Sequence, residues 1–245
     1  MHANPLPVQT VPADRPVLAL FDLDHTLLAA DTNELWLALL ASEGLIDGPD
    51  VLARQARYLA DYVGGRLDIL AYMAFQLEPL AGKRVESLLP LRAQFAAEYL
   101  APRIAPAAPA LVARHRANGD TCAIVSATHR FLVEPSAQQV GIDELICTEI
   151  EIVDGRFSGR VAGIPCFRER KIDRVQDWLA RRGTAADALA EAWFYSDSAN
   201  DLPLLEHVGR PVAVDPDARL AQAAAERGWP MITLLDAPSC AEPGR

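Results

Sequence analysis

No stretch of this chain approaches the roughly 18 consecutive apolar residues that a membrane span requires, so a transmembrane helix is excluded. Basic residues are scarce too: 23 Lys and Arg stand against 33 Asp and Glu, a formal net charge of −10. Lacking a broad basic surface to displace counterions, the chain is excluded as a general binder of nucleic acid or anionic membranes, though not as the owner of one local cationic site. The four cysteines, Cys122, Cys147, Cys166 and Cys240, form no CxxC pair, which argues against a zinc ribbon or a disulfide scaffold. Three of them read as buried thiols, with Cys166 a packing residue, and Cys240 reads as a tail residue. The first 16 residues have no cationic start followed by an apolar segment; Pro5, Pro7, Pro12 and Pro16 mark a loose arm over 1–16, and the expected compartment is the cytoplasm.

What is present is enough apolar material, 51% of 245 residues, to bury a sizeable core. Short apolar runs at 17–23, 121–127, 192–196, 211–214 and 231–235 read as strands buried on both faces. Helical patterns lie over 129–140, 168–182, 199–207 and 216–227, and strands alternating with helices imply a Rossmann-like α/β fold with a parallel sheet. The interval from about 30 to 100 breaks the rhythm with four helices, 32–43, 49–62, 66–77 and 82–99, punctuated by Gly44, Gly48-Pro49, Gly64-Gly65 and Pro79. Placed directly after the first strand, such a block sits over that strand's carboxyl end as a cap. Residues 144–160 carry two alternating runs around Asp154-Gly155, the signature of a hairpin.

The chemistry-bearing residues stand at strand ends, where open α/β sheets place their sites. In FDLDHT, Asp22 and Asp24 are two apart, so in strand geometry both carboxylates point one way, and a divalent cation with a taste for oxygen, such as magnesium, relieves their repulsion. An acidic strand end facing water explains the pair equally well. The second strand ends IVSAT, bringing the Ser126 and Thr128 hydroxyls to the same edge, and Lys171 opens a helix, where lysines are ordinarily solvated. YSDSAND places Asp197 and Asp201 four apart beyond another strand; helix capping is the plainer reading of such residues, and it suits Ser198 in any case.

Together DxDxT, the strand serine, the lysine and DxxxD, in this order over residues 17–235, resemble the haloacid-dehalogenase-like (HAD) superfamily of phosphohydrolases, subfamily IB, the phosphoserine-phosphatase-like group. The helical insertion resembles that family's C1-type cap. The resemblance implies an arm over 1–16, an α/β core of 17–29 and 100–245, and a helical cap over 30–99. It also implies a magnesium-dependent phosphomonoester hydrolase. Asp22 is then the nucleophile that becomes an aspartyl phosphate, and Asp24 protonates the leaving oxygen and later activates water. Magnesium (Mg2+) is held by the Asp22 carboxylate, the Asp24 carbonyl and Asp197, with Asp201 orienting a metal-bound water or Lys171. Lys171 and Ser126 bind the transferring phosphoryl group, with Thr128 and Asn200 beside it. The acid at position 24 separates the chain from the dehalogenases and cation pumps of the superfamily; a phosphotransferase or mutase, and a non-catalytic binder of a phosphorylated ligand, are the alternatives.

Specificity is expected in the cap. Asp31 occupies the position at which phosphoserine phosphatases grip the substrate amine, but the position of their carboxylate-binding arginine falls near Gln76, which is uncharged. Arg57 or Arg66 could substitute; otherwise a substrate with an amine and no carboxylate, such as histidinol phosphate, fits better than phosphoserine. His25 replaces the usual serine after DxD and either lines the phosphate entrance or packs under the cap. Trp36, Tyr58, Tyr72 and Phe75 are expected in the cap's core rather than around substrate. The partner is a small phosphorylated metabolite, and the chain is a monomer or a homodimer.

Overall fold

The computed structural model describes residues 17–235; the arm expected over 1–16 and Cys240 lie outside the described residues. Strand β1 (Leu18–Phe21) is buried throughout. Leu18 and Leu20 join the apolar cluster on one face of the sheet, Ala19 and Phe21 that on the other, the period of two that a strand imposes.

Four helices follow: α1 (Thr32–Ser42), α2 (Gly48–Val63), α3 (Ile69–Leu77) and α4 (Val85–Phe95). The first three start alike. The side chains of Asp31, Asp47 and Asp68 each accept a backbone N–H of the first turn, caps worth about 1 kcal/mol apiece. Helix α4 runs on into a wider π-turn over Ala96–Leu100, which accounts for the longer helix expected there.

The chain continues through α5 (Ala108–Ala117), β2 (Thr121–His129), α6 (Arg130–Val140), β3 (Glu144–Thr148), β4 (Ile150–Val153), β5 (Arg156–Val161), α7 (Arg170–Arg181), β6 (Trp193–Ser196), α8 (Leu202–Leu205), β7 (Arg210–Val214), α9 (Ala218–Arg227) and β8 (Met231–Ile232). Helix α5 is absent from the sequence expectations. The segment expected as the first arm of the hairpin divides after Thr148: Glu144–Thr148 pair with β2 in the main sheet, and only Ile150–Val153 pair with β5. The turn itself is as expected, with Asp154 and Gly155 both left-handed at φ 50° and 73°.

The main sheet has the order β3-β2-β1-β6-β7-β8, every neighbouring pair parallel. From β1 the chain moves outward one way to β3, then crosses to β6 and moves outward the other way, so the order reverses between β1 and β6. A crevice opens beyond the carboxyl ends of such a pair. Asp22 follows β1 and Asp197 follows β6, one on each side of it.

The inserted helices are unequally anchored. Trp36, Leu39, Leu77, Leu80, Leu88 and Phe95 share one cluster with Phe21, Ile124 and Tyr195 of the sheet. The β4–β5 hairpin stitches the far end down: Gly82 N donates to the Phe157 carbonyl (2.8 Å), Phe157 N to Lys83 (3.0 Å) and Val85 N to Gly155 (3.0 Å). Helix α2, by contrast, buries only Val51 and Gln55.

Away from the crevice a polar chain ties four segments. Asp120 accepts the Val17 N–H at 3.1 Å and meets His115 Nδ1 at 2.7 Å, while His115 Nε2 meets the Tyr195 hydroxyl at 2.8 Å. Burial lowers the His115 pKa against the pull of Asp120, so the ring is a neutral link. Among the described residues no helix is long and apolar enough to cross a membrane.

Candidate active site

The two acids that end β1 part company. Asp22, held by its N–H on the Tyr195 carbonyl (2.9 Å), is buried and receives the Lys171 ammonium on Oδ1 at 2.8 Å. Lys171 reaches it from the first turn of α7 and also donates to Asp201 Oδ2 at 2.7 Å, which in turn accepts the Ser196 hydroxyl at 2.8 Å. Asp24 is turned toward the inserted helices: Oδ1 accepts the N–H of Thr32 at 2.8 Å and also its hydroxyl, and Oδ2 accepts the Thr128 hydroxyl at 2.7 Å. Thr26 and Asp197 bind each other twice, the Thr26 hydroxyl to Asp197 Oδ1 and the Asp197 N–H to Thr26 Oγ1, both at 3.1 Å. Every acid in the group is therefore fixed by a partner from a different segment.

The charge is not balanced. Asp22, Asp24, Asp197 and Asp201 line the same cavity with one ammonium, that of Lys171. Burial pushes the Asp22 carboxyl up to about 7; Lys171 pulls it down, while Asp201 and Asp24 push it further up. Burial, then the charges of Asp22 and Asp201, hold Asp197 well above the carboxylate range. For Lys171 burial favours the neutral amine, but Asp201 and Asp22 outweigh it and keep the group protonated.

The cavity extends from these acids to the inserted helices, where Asp31, Gln55, Tyr58, Tyr62 and Tyr72 line it. Half-buried Asp31 caps α1 through the Glu34 N–H at 2.9 Å; burial, then the nearby Asp24 charge, raises its carboxyl to about 7. The Tyr72 phenol is raised well above its ordinary value by burial and by Asp31, and lies against the amides of Gln55 and Gln76.

A haloacid dehalogenase-like hydrolase family model matches residues 19–206. The chain belongs to that family. A protein named histidinol-phosphatase from Neisseria meningitidis serogroup C (strain 8013) is 42% identical over 218 residues, covering 89% of this chain and 98% of that one. A crystal structure of a protein of unknown function from Bordetella pertussis Tohama I superposes with a TM-score of 0.84 at 41% identity, covering 89% of this chain and 99% of that chain. A substrate-bound phosphoserine phosphatase complex shares the fold, with a TM-score of 0.66 at 16% identity, 92% of this chain and 95% of that one being covered. This HAD-family member is an enzyme, a phosphatase of the phosphoserine-phosphatase-like type.

Of the residues expected at the HAD site, Asp22, Asp24, Asp31, Thr128, Lys171, Asp197, Asn200 and Asp201 line one cavity. Ser126 stands one step back, its Oγ accepting the Thr128 N–H at 3.1 Å. Gln76 does not reach the substrate space: it is 1% exposed and donates to Gln55 Oε1 at 3.0 Å, so Gln55 lines the wall and Gln76 backs it. Arg57 and Arg66 are both exposed outside the cavity, Arg66 paired with Asp61 at 3.3 Å, and neither replaces the missing arginine. The aromatic expectation splits. Trp36 and Phe75 are core, whereas Tyr58 of α2 and Tyr72 of α3 pack against the Leu37, Val51 and Phe75 cluster and also line the cavity. His25 is exposed at the cavity wall at φ 57°, not packed beneath the helices. The cysteine expectation holds for the described residues, where Cys122, Cys147 and Cys166 are buried free thiols. Two contributors have no sequence signal: Tyr62, whose hydroxyl lies 2.8 Å from Ser198 Oγ, and Arg168, which bonds Asn200 at 3.0 Å.

Proposed function

We propose that this phosphatase hydrolyses a small phosphomonoester carrying an amine and no carboxylate, the histidinol phosphate class, with phosphoserine the second choice. The observation that carries this reading is the wall opposite Lys171. There the cavity offers the carboxylate of Asp31, the phenols of Tyr58 and Tyr72 and the amide of Gln55, and among the described residues no arginine lines it. An ammonium suits Asp31, and a flat heteroaromatic ring with one donor and one acceptor suits phenol and amide. A substrate carboxylate placed there would be buried beside Asp31 without a cation, which is costly. The name of the Neisseria relative agrees with this choice.

Asp22 acts as the nucleophile. Lys171 grips its Oδ1, which leaves Oδ2 as the attacking atom and fixes the line of attack. Asp24, oriented by Thr32 and Thr128, delivers a proton to the leaving oxygen and then takes one from the water that opens the aspartyl phosphate. Lys171, Thr128 and Asn200 surround the transferring group, with Ser126 behind Thr128, and the protonated amine offsets its growing charge.

The donor set fits magnesium. Burial raises the Asp22 and Asp197 carboxyls, and neighbouring acids, Asp201 and Asp24 for the first and Asp22 and Asp201 for the second, raise them further; this marks negative charge without enough counter-charge, and both offer hard oxygen ligands. Among the described residues no three His, Cys, Asp or Glu side chains gather around a common point; following the family resemblance, these two carboxylates and the Asp24 backbone carbonyl would hold the ion. When bound, the ion would neutralise phosphoryl charge.

Phosphate release from histidinol phosphate, phosphoserine, a sugar phosphate and p-nitrophenyl phosphate, with magnesium and with Asp22→Asn as the blank, tests the reading. Histidinol phosphate is expected to have the highest kcat/KM. A rate no better than that of p-nitrophenyl phosphate refutes the substrate assignment, and release by the blank refutes the nucleophile.

A further inference from the structure

Arg168 holds a backbone conformation that its type rarely adopts. It lies at φ +51°, one of four left-handed non-glycine residues among the described ones, and has no short polar side chain to ease that geometry as Asn or Asp would. Such a residue persists where the surroundings need its side chain.

The side chain spans two segments. Nε donates to Asn200 Oδ1 at 3.0 Å, Nη2 donates to the Gly65 carbonyl at 2.8 Å in the turn between α2 and α3, and the guanidinium lies 5.0 Å from the Phe167 ring centroid. Guanidinium nitrogens only donate, so the atom that Asn200 turns to Arg168 must be its amide oxygen. The amide nitrogen is thereby assigned to the other side; Ser198 Oγ, at 3.5 Å, gives it only a marginal partner. Asn200 lines the cavity beside Asp197 and Asp201, where an N–H donor meets a phosphoryl oxygen and an amide carbonyl would repel one. A second link runs in parallel: the Tyr62 hydroxyl, on α2, lies 2.8 Å from Ser198 Oγ, which accepts the Asn200 N–H at 3.2 Å.

We propose that Arg168 is a positioning residue that couples the seating of the α2–α3 turn to the orientation of Asn200. With the turn down, Arg168 is held between Gly65 and Asn200 and the amide presents its NH2 to the phosphoryl group. With the turn lifted, Arg168 loses one anchor and the amide is free to rotate. The inference rests on the phosphatase reading of the cavity for the role of Asn200, but not for the link to the turn.

The test is a kinetic cycle of wild type, Arg168→Gly, Asn200→Ala and the double variant on p-nitrophenyl phosphate and histidinol phosphate, with hydrogen exchange of the α2–α3 turn. Glycine keeps the left-handed backbone without strain, so Arg168→Gly is expected to fold with an unlowered melting temperature. Its kcat/KM should fall about tenfold through KM and kcat together, its turn amides should exchange faster, and it should cost nothing further in the Asn200→Ala background. Arg168→Lys, which cannot fork between two acceptors, should behave like glycine in the kinetics. A kcat/KM within twofold of wild type, or losses that simply add in the double variant, overturns the proposal. If wild type releases no phosphate from either ester, the functional reading fails separately, and exchange decides: unaltered turn amides in Arg168→Gly overturn the link.

Discussion

Lys171 and Asp22, 149 residues apart in sequence, meet at 2.8 Å in the interior, and the same ammonium lies 2.7 Å from Asp201. Removing it strands two buried carboxylates, a loss of about 3–5 kcal/mol for a broken buried pair. Lys171→Met should therefore lose turnover and be markedly less stable in urea at pH 8. The deficit should shrink toward pH 5, because Asp22, whose carboxyl sits near 7, takes a proton there and no longer needs the cation. An equal deficit at both pH values would show that packing, not charge, is what Lys171 supplies.

Asp22→Asn should remove turnover and leave the fold intact. Because the folded carboxyl is raised to about 7, its charged form opposes folding above that pH, so the variant's melting temperature in metal-free buffer at pH 8 should match or exceed that of wild type. A large drop in melting temperature would mean that Asp22 is held in place for the fold.

Chelation by EDTA should silence phosphate release, and added magnesium should restore it. Asp197→Asn should raise the magnesium concentration for half-maximal rate by at least about tenfold, the effect of losing one charged oxygen ligand. Full activity in metal-free buffer would remove the metal from the mechanism.

Asp31→Asn separates binding from folding. Asparagine can still cap α1, so the Glu34 N–H keeps its acceptor. The Asp31 pKa is raised to about 7 in the fold, so its contribution to stability is present below the unfolded value near 4 and is lost as pH climbs through 7. The variant should thus melt higher than wild type at pH 8 and equal to it near pH 4, while its KM for an amine-bearing ester rises. A melting difference independent of pH would contradict the charge assignment.

His115→Ala should cost about 2–4 kcal/mol in urea denaturation, because it leaves Asp120 and the Tyr195 hydroxyl buried without their shared partner. Phosphatase kcat should stay near wild type, since none of His115, Asp120 and Tyr195 lines the cavity. A variant as stable as wild type would mean that water replaces the ring.

The sequence announced the strand ends better than the insertion. Asp22, Thr128, Lys171, Asp197 and Asp201 follow apolar runs whose period marks strands, and a parallel sheet forces those ends to one edge, so their convergence was legible. Gln76 was not, because which face of α3 meets the cavity depends on how α2 packs against it; Gln55 takes the wall and Gln76 the layer behind. Tyr58 and Tyr72 pack in the core of the inserted helices as expected, but that they also line the cavity depends on the same packing. Helix α5 is hidden in the sequence because Pro106 and Pro109 at its start resemble a loop, although proline in the first turn costs a helix nothing. Nor does any sequence pattern mark an arginine for a left-handed backbone such as that of Arg168.

Helix α2 contributes Gln55, Tyr58, Leu59 and Tyr62 to the cavity yet buries only Val51 and Gln55. Tyr58, Leu59 and Tyr62 can therefore change at less cost to folding than Gln55, which holds buried Gln76, while the acids and the lysine beneath them stay fixed by the sheet. A duplicated copy of such a chain could drift from one phosphate ester to another through these positions of α2, keeping the bond-breaking groups untouched.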